Sequence, residues 1–266
     1  MRLATYGFDD GDRAARIEGE FVVDLGRAEP LMALFGQDLS HDGPHVPLDL
    51  SRLRPPIPHP PAFLGVGLNY RDHAREAGRT LGATPAVFAK GQGAVAAPYG
   101  SVASHFASFD YEGELGVVIG RRCHRIEAAD AAGYIAGYVV VNDFSVRELL
   151  VPDTLVLAKG GAGHGPFGPW LTTADEVPDP HDLAITTHVN GEVRQSSNTS
   201  ELHRNCFELV AWLSSALTLE PGTVIATGSP AGSGIGFDPP RWLVPGDVVR
   251  VEIERLGAIE HTVAAA

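Results

Sequence analysis

Two glutamates, Glu112 and Glu114, stand directly before an unbroken apolar run, Leu115-Gly116-Val117-Val118-Ile119. Such a run reads as a strand entering a core, and the period of two puts both carboxylates on one face. Like charges at the mouth of a buried strand repel unless something neutralises them. The pattern therefore has two outcomes: a solvated strand edge with surface glutamates, or a carboxylate pair holding a hard divalent cation. Tyr138-Val139-Val140-Val141-Asn142-Asp143 repeats the context. Asp143 is then either a third oxygen ligand or an ordinary turn and cap residue. No His or Cys cluster has zinc spacing.

A further candidate is Asn69-Tyr70-Arg71-Asp72-His73-Ala74-Arg75-Glu76. On a short helix, with Asn69 as N-cap, His73 and Glu76 share a face at i, i+3. A carboxylate beside an imidazole fixes its tautomer and raises its basicity, so the pair can take a proton from water. The same residues also fit a mixed-charge surface helix.

Charge and composition narrow the class. The 266-residue chain has 20 basic and 33 acidic side chains, a formal charge of −13, which argues against a nucleic-acid partner and for a small molecule. Its 31 glycines and 20 prolines predict many turns and short strands rather than a helical bundle. No apolar run approaches the roughly 18 residues of a membrane helix, and the N-terminus lacks a signal-peptide core. Cys123 and Cys206 form no metal or disulfide pattern, so both are expected reduced and the protein cytoplasmic.

Residues 1–60 read as a small N-terminal unit. Arg2 to Tyr6, Ala14 to Glu18 and Phe21 to Leu25 are strand-like, and Arg27 to Phe35 reads as a short helix ending near Gly36. Seven prolines in 37–61 predict an extended linker. From residue 61 to 266 strands dominate without regular helix alternation, which excludes a doubly wound parallel sheet. Expected strands are Phe63 to Leu68, Ala86 to Ala89, Leu115 to Ile119, Tyr138 to Val141, Thr223 to Ala226, Val248 to Glu254 and Ile259 to Val263. Asn190-Gly191 marks a hairpin between Leu183 to Asn190 and Glu192 to Gln195, and Asn205 to Leu217 is the one long amphipathic helix.

Taken together, the ordered segments resemble the fumarylacetoacetate hydrolase family over roughly residues 60–263. They are Gly67-Leu68-Asn69-Tyr70 with His73 and Glu76, Pro85 to Lys90, Asp110 to Leu115, Asn142 to Arg147 and Gly165 to Trp170. Asn190 to Gln195, Leu219 to Gly222, Thr227 to Gly232 and Pro245-Gly246-Asp247 complete the set. The resemblance implies a β-rich α+β fold, with a mixed β-roll or β-sandwich catalytic domain behind a small N-terminal α+β domain. It implies Mg²⁺ or Mn²⁺ (Ca²⁺ in crystals) on Glu112, Glu114 and Asp143, a water-activating His73–Glu76 dyad, and Lys159 as a further catalytic group. Arg147, Lys90 and Thr227 match positions that bind substrate, and many relatives are homodimers.

The family cleaves or rearranges C–C bonds beside 1,2- or 1,3-dicarbonyl groups. The leading expectation is a hydrolase of a β-diketo acid of the acylpyruvate or fumarylpyruvate type. The alternative is a lyase or isomerase on a 2-oxo acid, such as an oxaloacetate-type decarboxylase or a 3-deoxy-2-oxo sugar acid dehydratase. A non-catalytic binding protein would have no use for the dyad. Lys159 is followed by Gly160-Gly161-Ala162-Gly163-His164 where many relatives carry Ser-Phe-Asp, Glu148 stands where Asp is commoner, and Leu202 where Met is usual.

Overall fold

A computed structural model describes residues 1–27, 31–34, 37, 39, 43–82 and 84–266. Strands β1 (Arg2–Phe8), β2 (Gly11–Glu18) and β3 (Phe21–Arg27) form a meander, extended at its edge by β4 (His45–Pro47). Of the helix expected over 27–35, Leu31–Leu34 forms a single 3₁₀ turn, and 28–30 and 35 lie outside the described residues. The described part of the proline-rich stretch holds short strands and one 3₁₀ turn (Leu50–Arg52), and it packs rather than standing free. Its strand β5 (Leu53–Arg54) pairs with β1, and Leu53 and Ile57 are buried.

Strand β6 (Phe63–Gly67) leads to helix α1 (Arg71–Glu76) and then β7 (Ala86–Lys90), which pairs back onto β6. Strands β8 (Val95–Ala96), β9 (Tyr99–Ala103) and β10 (Phe109–Asp110) precede the two core strands β11 (Gly113–Ile119) and β12 (Ile135–Asn142). These two pair from Gly113↔Asn142 to Ile119↔Ile135. The two-residue strand β13 (Ser145–Val146) pairs with β10, and helix α2 (Leu155–Lys159) follows.

Strand β14 (Gly165–Thr173) joins the core to the N-terminal meander, pairing with β12 on one side and β1 on the other. The expected hairpin forms between β15 (Ala184–Val189) and β16 (Glu192–Asn198), with Asn190 and Gly191 at φ 53° and 79° as its tight turn requires. Helix α3 (Cys206–Ser214) starts at a capping box of Asn205 and Glu208. Strands β17 (Val224–Ala226), β18 (Val248–Ile253) and β19 (Gly257–Ala264) complete the chain.

These strands make a 12-stranded sheet, a five-stranded sheet in the order β16-β15-β18-β19-β9, and the small β10-β13 pair. The alternation of β11 divides the core. Leu115, Val117 and Ile119 pack with Ile185, Val251, Ile253 and Ile259 of the five-stranded sheet. Val118 packs with Val139, Val141 and Phe167. At Gly113 the sheets approach so closely that a Cβ would overlap Thr187 Oγ1 and meet Val251 Cγ1 at 2.9 Å. Both cysteines are buried and free, and among the described residues no helix is long and apolar enough to cross a membrane.

Candidate active site and metal centre

Glu114 lies on β11, Glu112 just before it, and Asp143 just after β12. The β11–β12 register brings these ends together, and the Asp143 amide donates to the Glu112 carbonyl at 2.8 Å. One carboxylate oxygen from each of Glu112, Glu114 and Asp143 lies within 4.8 Å of the others. All three are buried, so the solvated-edge alternative does not apply.

Three cations surround the cluster. Arg147 Nη2 donates to Glu112 Oε1 at 2.8 Å, while its Nε donates to Asp110 Oδ2 at 2.7 Å. Lys159 Nζ donates to Glu112 Oε2 and, at 2.8 Å, to Asp143 Oδ2. Lys90 Nζ lies 2.5 Å from Asp143 Oδ1 and donates to the carbonyls of Lys159 and His164.

Electrostatics separates the three acids. Burial raises the Glu112 carboxyl, but Arg147 and Lys159 outweigh it and hold the group far below the usual range. Glu114 goes the other way, raised by burial and then by the charges of Asp143 and Glu112. Its only described partner is the Gly228 amide, which donates to Oε2 at 2.8 Å, and no ion pair to it occurs among the described residues. For Lys159, burial opposes the charge, yet Asp143 and Glu112 prevail and keep it an ammonium. Lys90 is lowered by burial.

A divalent ion fits these residues. The donor set is all carboxylate oxygen, which suits a hard cation. Glu114 is a buried acid with no ion-pair partner among the described residues, a charge that a cation would neutralise.

The cluster opens onto a cavity of about 370 Å³. His73, Arg147, Lys159 and Ser229 share its wall with the three carboxylates, and Val66, Phe88, Leu150, Val151 and Leu155 supply apolar surface. His73 Nδ1 lies 3.1 Å from Glu76 Oε2, and the other Glu76 oxygen accepts the Gly232 amide at 2.9 Å. Of the remaining expected site residues, Glu76, Lys90 and Thr227 do not line this cavity. The Thr227 hydroxyl is buried and donates to the Leu115 carbonyl at 2.9 Å.

Asn69 is not the N-cap of α1. Tyr70 holds that position without a side-chain cap bond. Asn69 is buried, and its amide donates to the carbonyls of Arg204 and Thr227 at 3.0 and 2.8 Å, tying the start of α1 to two distant loops.

The sequence also left out Gln195. Its Oε1 accepts the Gly113 amide at 2.9 Å, and its Nε2 donates to Ser229 Oγ and the Pro230 carbonyl, both at 2.8 Å. A single buried glutamine within β16 gives no periodic signal. Only its place in the motif Asn190 to Gln195 marked it.

Comparison with known proteins places this geometry in context. Residues 62–264 match the family model described as fumarylacetoacetate (FAA) hydrolase C-terminal. A protein of Burkholderia lata is 42% identical over 212 residues, 77% of this chain and 75% of that one. The mitochondrial oxaloacetate tautomerase of Rattus norvegicus is 36% identical over 243 residues, 90% of this chain and 78% of the relative. The structure of a fumarylacetoacetate hydrolase from Exiguobacterium antarcticum superposes with a TM-score of 0.90 at 32% identity, covering 100% of both chains. That of a 2-hydroxyhepta-2,4-diene-1,7-dioate isomerase from Mycobacterium marinum gives 0.84 at 32% identity, covering 100% of this chain and 98% of the other.

Proposed function

The chain belongs to the fumarylacetoacetate hydrolase family, and on that premise we propose that it hydrolyses a C–C bond in a β-diketo acid of the acylpyruvate or fumarylpyruvate type. The observation that carries this reading is the His73–Glu76 pair at 3.1 Å, whose His73 lines the same cavity as the three carboxylates and Lys159. Glu112, Glu114 and Asp143 would hold Mg²⁺ or Mn²⁺, which supplies Lewis-acid polarisation to a 2-oxo acid when bound.

The chain's own groups handle the protons and the charge. Glu76 accepts from His73 Nδ1–H, which leaves Nε2 as the basic nitrogen. His73 takes a proton from water, and the oxygen bonds to the carbonyl carbon distal to the 2-oxo acid. The C–C bond then breaks, its electron pair passes to the departing enolate, and the imidazolium returns a proton to the products. The Lys159 ammonium stabilises the enolate charge. Arg147, fixed between Asp110 and Glu112, adds a second cation to the wall. We place the enzyme in the cytoplasm, with a small-molecule substrate and a homodimeric assembly. A light-scattering mass near 28.1 kDa would count against the dimer.

The names of the rat and M. marinum relatives favour a second reading, an isomerase or lyase on a 2-oxo acid. Proton transfer at carbon then needs an acid–base group but no water attack. The deciding experiment incubates the protein and Mn²⁺ with acylpyruvates, oxaloacetate and 3-deoxy-2-oxo sugar acids, and weighs the products. Two fragments with the mass of one added water support the hydrolase. Loss of carbon dioxide, loss of water, or unchanged mass with solvent deuterium uptake identifies a decarboxylase, a dehydratase or a tautomerase.

A further inference from the structure

We propose that Asp110 is a positioning residue that fixes the His73–Glu76 pair relative to the carboxylate site; its kinetic consequence rests on the hydrolase reading above. Asp110 is fully buried on β10, two residues before Glu112. It accepts four hydrogen bonds that run in two directions. Toward the carboxylates, Oδ2 accepts Arg147 Nε at 2.7 Å, and the same guanidinium donates to Glu112. Toward the 231–236 loop, Oδ1 accepts the Gly234 amide at 2.7 Å and Oδ2 the Ile235 amide at 3.1 Å. Its own neighbour's amide, from Tyr111, completes the set at 2.9 Å.

That loop is what holds Glu76. The Gly232 amide donates to Glu76 Oε1 at 2.9 Å, and the Tyr111 hydroxyl grips the Gly232 carbonyl at 2.9 Å. Side chains are excluded at both contacts. A Cβ on Gly234 would meet Asp110 Oδ1 at 2.6 Å, and one on Gly236 would meet the Glu76 carboxylate at 2.5 Å. A continuous path of hydrogen bonds thus runs from Glu112 through Arg147, Asp110 and the loop to Glu76 and His73. At its Glu112–Arg147–Asp110 end the path is buried and both Asp110 oxygens are bonded, so any rearrangement there leaves a polar group unpaired, while the Glu76 contacts at its far end are exposed. Helix α1, only six residues long, is held at Glu76 by this path, beside the Asp72 contacts to Ser197 and Ala231.

Asp110→Asn tests the proposal, since an amide nitrogen cannot accept from Arg147 or Ile235. Hydrogen exchange of the whole metal-free protein should show amides of 71–77 and of 231–236 exchanging about tenfold faster, with 135–142 unchanged. Mn²⁺ should still bind. On an acylpyruvate, kcat should fall at least about tenfold with KM little changed, and the losses from Asp110→Asn and Glu76→Gln should be clearly less than multiplicative in the double variant. Faster exchange confined to 231–236, or multiplicative losses, would show that Asp110 only braces its loop and would overturn the proposal. If Asp110→Asn fails to fold, Gly236→Ala breaks the same path at Glu76. It should loosen 71–77 equally, and unchanged exchange there refutes the path. If the wild type hydrolyses no acylpyruvate, the functional reading fails while the exchange measurements still decide the role of Asp110.

Discussion

Glu114 lies within, and Asp143 directly after, strands of seven and eight residues in which every residue is buried. His73 and Glu76 lie on a six-residue helix with one buried residue, Ala74. The carboxylates are fixed by the sheet, whose ladder bonds and packing hold them together despite their mutual repulsion. The dyad has no such support, and a helix this short is marginal alone. Its carboxylates anchor it instead. Glu76 takes the Gly232 amide, and Asp72 takes the Ser197 hydroxyl at 2.5 Å and the Ala231 amide at 3.4 Å. The part of the site that must hold charge is built rigidly, and the part that must move protons is attached by a few replaceable bonds.

The largest effect should come from the strand-borne half. Glu114→Ala removes the acid that lacks a cation partner, and we expect turnover at background and loss of Mn²⁺ binding by calorimetry, with the fold intact. Wild-type turnover after chelation and reconstitution would remove Glu114 from the metal site. On the helix, His73→Ala should slow hydrolysis about 10²–10⁴-fold while the affinities for Mn²⁺ and for oxalate stay unchanged. Near-full turnover on the true substrate in this variant, with none in Asp143→Ala, would replace the hydrolase by the decarboxylase. Glu76→Gln keeps part of the orientation and loses the charge, so a loss of about tenfold to a hundredfold is expected, read as a fall in kcat.

The smallest effect concerns stability and distinguishes the halves by pH. His261, on β19, meets Phe144 edge-on at 6.0 Å behind Asp143, and burial pushes its imidazole down to about 4. Unfolded, it titrates near 6.5. Between these values the unfolded chain binds a proton that the folded one refuses, so stability is full above pH ~6.5 and falls as pH drops toward ~4. The loss is up to about 3 kcal/mol. Urea melts should show it in wild type and lose most of it in His261→Gln; an unchanged acid limb would mean that His261 is not the group involved.

The strand-borne half was legible because its signal is periodic. Glu112 and Glu114 at a spacing of two, and two apolar runs, locate β11 and β12 without any partner being known. Strand β14 was not legible, although it joins the core to the N-terminal meander. Its Gly165-Pro166-Phe167-Gly168-Pro169-Trp170 has the composition of a turn, and only tertiary pairing with β12 and β1 makes it a strand. In the helix half, His73 and Glu76 followed from their spacing, but the backbone amides that hold them did not. Gly232, Gly234 and Ile235 act through N–H groups that every residue but proline carries, so side-chain chemistry does not mark them.

Part of the apolar wall of the cavity has a different origin from both halves. Leu150, Val151 and Leu155 lie on the connection between β13 and β14. Between residues 149 and 154 the backbone bonds are short-range, from Leu150 to Arg147, Val151 to Leu149 and Thr154 to Val151. Arg147 and Lys159 on either side are tied to the carboxylates, but the stretch 149–154 between them can change in length or sequence without breaking a sheet ladder. Substrate range in such a scaffold can therefore diversify by insertion and deletion in this short stretch, while the carboxylates and the two cations that flank it stay as they are.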